Sequence, residues 1–482
     1  MIKNRLAWRP DGYGADGLSL RLKNALVLLL LLCGLSGAHG GAQTGGAPQP
    51  TDQAAALVAQ GFKLLDQRDA AGADAAFREA IEIEPELADA HRGLGMALWA
   101  RGQGSAALRE LNVATRLAPN DVLAHFALGK LAWTLALQPD LAGDGELSAA
   151  DYQATALAEL SKAASLRPND AETRLTLADV YLDAGNKSRA LDEGKKAAEF
   201  AMTSTLQAQA QLAVGRAYFA VGEEDSAERA FREALEINPA LAEAHLGIGQ
   251  LRLAQHRLPE AEQELRRAME LAPNSAAPYA LLAELLVKNG RPGEARGLLE
   301  KSVALDPGDV ESRFHLAVVL GEVGEVRRAE ELLEYVVSRR PDFFAAREQL
   351  GLSLLRRGDR DGAARHANTI LARSPRAAEG HRLMALILWK QQDVEGALAE
   401  CAQALAGDPD SQSMMALEAV GLWKLGRKKD AQRSLVRAYK AQPQIASGEV
   451  FCRLILCDSR DVATVGEFLR KNRWAITPTS AP

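Results

Sequence analysis

Along most of the chain the apolar residues do not alternate. They return at i, i+3, i+4 and i+7, as in Leu94 and Leu98, Leu316 and Leu320, or Leu350 and Leu354. That spacing predicts amphipathic helices, because only a helix brings such positions onto one face. The helical segments recur with a fixed period. Prolines stand at 239, 273, 307, 341, 375, 409 and 443, each 34 residues after the last, and Pro85 and Pro119 keep the same interval. Pro119 to Pro168 is 49 residues, one period plus an insertion of 15. Pro168 to Pro239 is 71, two periods plus three, with one proline missing near Met202. The spacing predicts eleven repeats between residues 54 and 443, each a pair of helices.

Small residues and breakers share the period. Twelve positions before each proline, or before its missing counterpart, stands an alanine: 73, 107, 156, 190, 227, 261, 295, 329, 363, 397 and 431. Gly or Ala stands at a second fixed position, as Gly61, Gly95, Gly129, Gly215, Gly249 and Gly351. Two antiparallel helices can approach closely there, and a larger side chain would push them apart. Glycines at 102, 185, 222, 290, 324, 358 and 426 are placed to end the first helix of each pair in a left-handed conformation. The prolines end the second helix. A lone pair cannot bury its apolar stripe, so the pairs must stack.

The chain resembles the tetratricopeptide repeat family. That family carries a bulky residue at position 4, Leu-Gly at 7–8, Ala at 20, Phe or Leu at 24, Ala at 27 and Pro at 32. Ala244-His245-Leu246-Gly247-Ile248-Gly249, followed by Ala261, Leu265, Ala268 and Pro273, follows this pattern. Ala73-Phe77-Ala80-Pro85 and Ala227-Phe231-Ala234-Pro239 repeat it for the second helix. The resemblance implies an all-α fold, a right-handed α-solenoid superhelix of antiparallel helix pairs. It also implies a non-catalytic scaffold that binds another protein. The third repeat departs from the pattern by a loop insertion near 135–150, expected to project from its turn, with a partner-binding loop as the alternative. The fourth lacks its proline and carries Gly194 at position 24, where a change of superhelical pitch is expected. After the array, residues 444–471 are expected to form two capping helices, near 449–457 and 462–470, followed by a tail over 472–482.

The first 53 residues have a different character. Lys3, Arg5, Arg9, Arg21 and Lys23 precede an apolar run from Ala25 to Leu35, and small residues Gly37, Ala38 and Gly40 follow. A basic stretch, a short apolar stretch and a small-residue exit make up a secretory signal. The run falls short of the ~20 residues a membrane-spanning helix needs. Residues 1–40 are therefore read as a signal peptide, with an uncleaved N-terminal anchor as the alternative, and 41–53 as a flexible linker. The expected location is extracytoplasmic, periplasmic or secreted, or membrane-tethered if the segment stays uncleaved.

Composition narrows the function further. The chain has 482 residues, 57 Lys+Arg against 63 Asp+Glu and a net charge of −6. Removal of residues 1–40 would take away five basic and two acidic groups and bring it to −9. That balance argues against a nucleic-acid-binding face. Aromatics are 5% of the chain, thin for several separate cores but suited to an Ala/Leu array. No phosphate-binding glycine loop, His-Glu-x-x-His, Cys-x-x-Cys or Gly-x-Ser-x-Gly motif occurs, and eleven repeats leave no room for an enzyme domain. No catalytic residue, cofactor or metal site is expected. His91, His125, His245 and His381 all fall at position 4, spread along the stack and read as packing residues. Cys452 and Cys457 are five apart in an expected helix, facing different ways, so no disulfide is predicted between them. Arg427, Lys428, Lys429, Arg433, Arg437 and Lys440 form a basic cluster, read as a solvated helix face, with a docking patch for an acidic partner as the alternative.

In the family, ligands lie on the concave surface built from first-helix positions 2, 5, 9, 12 and 13. Position 12 carries four of the six tryptophans: Trp99, Trp133, Trp389 and Trp423, with Phe219 between them. Phe62, Met96 and Phe126 add to the same surface from positions 9 and 5, as does Phe314. The expected partner-binding groove is therefore Phe62, Met96, Trp99, Phe126, Trp133, Phe219, Trp389 and Trp423, since exposed aromatic clusters carry binding energy. The competing reading is that position 12 packs against the next repeat. An accessory role in envelope or polysaccharide assembly, contacting glycan as well as protein, is the second functional reading.

Overall fold

The computed structural model describes residues 50–142, 147–457 and 459–476. The expected signal peptide and linker lie outside these residues, apart from the start of the first helix. Among the described residues there is no strand, and no helix is long and apolar enough to cross a membrane. The chain divides into two compact units, at residues 309 and 310.

The first unit holds seven helix pairs. They are α1 (Pro50–Asp66) with α2 (Ala70–Ile83), α3 (Ala88–Ala100) with α4 (Gly104–Leu117), and α5 (Val122–Leu137) with α6 (Ala149–Leu166). Then come α7 (Ala171–Asp183) with α8 (Lys187–Phe200), α9 (Ser204–Val221) with α10 (Glu224–Ile237), and α11 (Ala242–Ala254) with α12 (Leu258–Leu271). The last pair is α13 (Ala276–Lys288) with α14 (Pro292–Leu305). The second unit holds α15 (Val310–Glu322) with α16 (Val326–Arg339), α17 (Phe344–Arg356) with α18 (Arg360–Arg373), and α19 (Ala378–Lys390) with α20 (Val394–Gly407). It ends with α21 (Gln412–Lys424) packed on α22 (Lys428–Ala441), then α23 (Gly448–Leu454) and α24 (Ser459–Ile476).

The periodic residues do the work their sizes imply. All eleven alanines at position 20 are buried, none more than 5% exposed. At position 8 a side chain would collide with the facing second helix: a Cβ on Gly95 would lie 2.6 Å from Leu111 Cγ, and one on Gly215 2.6 Å from the Phe231 ring. The first helix of ten pairs ends on a residue with positive φ at one register position. Seven of these are glycines, and Arg68, His256 and Gln392 fill the other three with φ of 63°, 60° and 66°. A β-carbon is disfavoured there, by ~1–2 kcal/mol in the left-handed region.

The two irregular repeats are accommodated locally. α5 runs on to Leu137, and Pro139–Ala142 form a 3-10 turn that folds back onto α4 rather than projecting from it. Ala142 is buried and its carbonyl accepts from the Ser105 hydroxyl, while Gly104 leaves room for the Leu141 carbonyl. Residues 143–146 of the insertion lie outside the described residues. α6 then starts with a reciprocal cap between Ser148 and Asp151. Where the fourth proline is missing, Thr203 starts α9 instead, its hydroxyl accepting from the Leu206 N–H at 3.2 Å.

The cysteine expectation is corrected. Cys452 and Cys457 form a disulfide, their Cα atoms 4.7 Å apart. The helix that was to separate their directions stops at Leu454. Leu456 then takes a φ of 54°, and the Cys457 N–H donates to the Cys452 carbonyl. The sulfurs therefore meet across a turn. Cys401 remains a buried free thiol, donating to the Met414 carbonyl at 3.1 Å. Burial pushes its pKa up to about 12.

Candidate protein-binding surface

The seams between pairs fix the first helices that form this surface. At position 4, His91 sets Nδ1 2.8 Å from Glu110 and Nε2 2.9 Å from the Pro85 carbonyl of the preceding pair. His125 does the same with Glu159 and Pro119, His245 with Glu264 and Pro239, and His381 with Glu400 and Pro375. Each ring thus joins three elements, and the family's proline contributes its carbonyl as an acceptor. Arg174, Tyr279 and Arg347 reach the matching carbonyls of Pro168, Pro273 and Pro341. Sequence spacing put these residues at one position; the shared carbonyl partner was not legible, because it lies on the backbone. Among the described residues no group of His, Cys, Asp and Glu is arranged to hold a metal ion.

In the first unit the predicted groove residues divide into two layers. Met96 (2% exposed) and Phe126 (5%) are buried, whereas Phe62, Trp99, Trp133 and Phe219 are half-buried. Charged side chains lie among them. The Arg92 guanidinium sits 5.0 Å above the Phe62 ring and bridges to Asp89 and Asp121, and Lys130 Nζ lies 5.3 Å over Phe126. The Trp133 indole N–H donates to Asp183 of the next first helix at 2.6 Å. Buried Arg216 donates to Asp179 at 2.7 Å. Burial raises the Glu172 carboxyl above its usual range, with nearby Lys130 opposing that shift. The result is a row of half-exposed aromatic faces interleaved with locally paired charges, on helices most of whose seams are bonded through position 4.

In the second unit one tryptophan at the same register position is closed over. Trp389 is 1% exposed, and its indole N–H donates to Asp461 of α24 at 3.2 Å. Lys424 Nζ lies 4.1 Å over the Trp389 ring and 3.4 Å from the other Asp461 oxygen. Trp423 is half-buried against Phe468 of α24, ring centroids 5.6 Å apart, with Lys428 and Lys471 near its ring. Phe451, Val465 and Phe468 complete this core. The structure therefore covers Trp389 with the chain's own last helix, so this residue does not face solvent as the groove expectation required. Asp461 was missed by sequence reasoning: one acid in a capping segment gives no signal of a contact 72 residues back. Phe314 in α15 is half-buried against Phe343, 4.9 Å between centroids. Of the basic cluster on α22, Arg427 and Arg433 flank Asp430, and Arg437 reaches Glu418. These pairs use up part of the cluster's charge on α22 and against its partner α21.

Paired antiparallel helices stacked through small residues, with aromatics on the first-helix face, define the class: a helical-repeat scaffold. Tetratricopeptide repeat models match residues 64–131, 218–285 and 286–342, and a further one matches 348–412. The chain belongs to the tetratricopeptide repeat family and is a protein-interaction scaffold of that type; proteins of this fold are generally non-catalytic. Among solved structures it is similar to Cut9–Hcn1 of the APC/C hetero-tetramer, at 17% identity and a TM-score of 0.45, covering 77% of this chain and 84% of that one. It is also similar to Pseudomonas aeruginosa pilF, at 22% identity and a TM-score of 0.41 over 45% of this chain and 99% of that one. A third likeness is MamA, at 25% identity and a TM-score of 0.31 over 33% of this chain and 93% of that one. No curated protein matches the chain.

Proposed function

We propose that this chain is an exported scaffold that holds a segment of a partner protein on the first-helix face of its N-terminal unit. The observation that carries the reading is the row of Phe62, Trp99, Trp133 and Phe219, which stays half-exposed on four first helices. Aromatic side chains fixed by packing and by a bonded indole lose little entropy on binding, which is what an anchor residue requires. The paired charges of Arg92 with Asp89 and Asp121, and the Asp183 carboxylate that accepts from Trp133, supply polar groups along a rim. Export rests on the basic stretch and the apolar run from Ala25 to Leu35.

The test is a binding comparison between the full chain and its Trp99→Ala/Trp133→Ala variant, with circular dichroism melts of both. Truncating a well-packed anchor costs about 2–4 kcal/mol of binding, so affinity for the captured segment should fall at least ~30-fold while the melt is little changed. Undiminished affinity in a normally folded variant contradicts the reading. N-terminal sequencing of the protein from fractionated cells tests export: a new N-terminus near residue 41 in the extracytoplasmic fraction supports it, and an intact cytosolic chain opposes it.

A further inference from the structure

Five seams pair position 4 with a carboxylate on the second helix of the same repeat. His91, His245, His381 and Arg174 each meet a glutamate 19 residues on, and His125 meets Glu159 across the insertion, at 2.5–2.8 Å. The repeat formed by α17 and α18 breaks this rule in an unusual way. Position 4 is Arg347 and the residue 19 further on is His366. Two groups able to carry positive charge thus occupy the places that elsewhere hold a cation and its acid. Arg347 uses Nε on the Pro341 carbonyl at 3.1 Å, and among the described residues it enters no ion pair. Among the described residues buried Nδ1 of His366 has no hydrogen-bond partner. Exposed Arg365 and Arg373 stand on α18 around the pair, also without an acidic partner among the described residues.

Electrostatics agrees with this geometry. Burial, Arg347 and Arg365 hold the His366 imidazole below its usual value, and burial with Arg373 lowers Arg347. A buried polar atom left unbonded is costly, and like charges gathered without an acid repel, so a seam of this composition gains from an added anion. The five paired seams indicate which anion fits, since the partner in each is a glutamate carboxylate.

We propose that the Arg347–His366 seam is a docking point for a side-chain carboxylate carried by a partner protein, accepted by the free edge of the Arg347 guanidinium and an N–H of the His366 ring. This site lies in the second unit and does not depend on the aromatic row of the first. A bidentate arginine contact recognises planar carboxylate in particular.

The experiment uses the full chain with isotopically labelled histidine, its His366 ring signal assigned by loss in His366→Gln. The probe is an N-acetylated triglutamate amide, with N-acetylated triglutamine amide and inorganic phosphate compared at the same ionic strength. The expected result is a saturable shift of the His366 signal with triglutamate only, and an affinity about tenfold weaker in Arg347→Gln, the loss of one charge-assisted contact. A second variant, His366→Glu, places the missing acid in the chain itself. It should melt ~2 °C or more above the wild type and lose its stabilisation by triglutamate. No shift beyond that of triglutamine, an equal response to phosphate, or unchanged affinity in Arg347→Gln would each overturn the assignment.

Discussion

Trp133 and Trp389 occupy the same position of their repeats, and each indole N–H donates to an aspartate, yet they end in different states. Trp133 meets Asp183 on the next first helix and remains half-exposed, whereas Trp389 meets Asp461 on α24 and is sealed. The residue type is identical and so is the helix it stands on. What differs is the chain that follows. Within the first unit the next repeat follows directly, and its Asp183 binds the indole N–H while the ring stays half-exposed. At the end of the second unit α23 and α24 follow, and the last helix places an acid and a phenylalanine where a ligand would otherwise lie. A repeat position therefore specifies a direction, and its neighbours decide between surface and core.

This contrast can be broken at its strongest point. Trp389→Ala removes a sealed aromatic and should cost ~3–5 kcal/mol, as other buried aromatic truncations do. Trp99→Ala should cost well under half as much, because part of its ring is already in water. Denaturant midpoints of the two variants, read by circular dichroism, decide the matter, and equal losses would erase the distinction. Cysteine chemistry sharpens it next. Cys401 lies in the closed core of the second unit with its pKa pushed up from 9.0 to about 12, so its thiolate fraction at pH 8 is about a thousandfold lower than that of an ordinary thiol. Alkylation by iodoacetamide should stay negligible in the folded chain, rise only as pH climbs toward that value, and become rapid on denaturation.

Smaller effects test what the two regions share. Ala261→Leu should wedge α11 from α12 and cost ~1–3 kcal/mol through overpacking, since Ala261 is fully buried. An unchanged melting temperature would mean that the helices part there freely. Arg68→Gly in the first unit and Gln392→Gly in the second should each stabilise by up to ~1 kcal/mol, because both residues hold a left-handed φ that seven other repeats give to glycine. The two gains should be alike, since turn chemistry is common to open and closed regions. A loss in either would show that its side chain contributes something a glycine cannot.

The helix pairs were legible in the sequence because their determinants are local and periodic. Alanine at position 20 and glycine at the turn each state a distance of approach or a backbone angle, and the structure uses them as such. Contacts that depend on one unrepeated residue were not legible. Asp461 reaches Trp389 from α24, 72 residues along the chain, and the early end of α23 lets Cys452 and Cys457 meet. The fold-back of Pro139–Ala142 depends on Gly104 and Ser105, two residues outside the insertion itself. Met96 and Phe126 looked like groove residues by register, but each packs inward beneath the half-exposed row. Periodicity identifies which face a residue belongs to and not how deep it lies.

The contrast between open and closed tryptophans is tested most directly by site-specific photocrosslinking in the full chain. A photoreactive phenylalanine would replace Trp99 in one variant and Trp389 in another, each checked for normal folding, and adducts would be mapped by mass spectrometry. The account predicts crosslinks from position 99 to a discrete segment of a partner protein, and crosslinks from position 389 to α24 of the same chain. Partner adducts at 389 matching those at 99, or adducts at 99 confined to the chain itself, would contradict it.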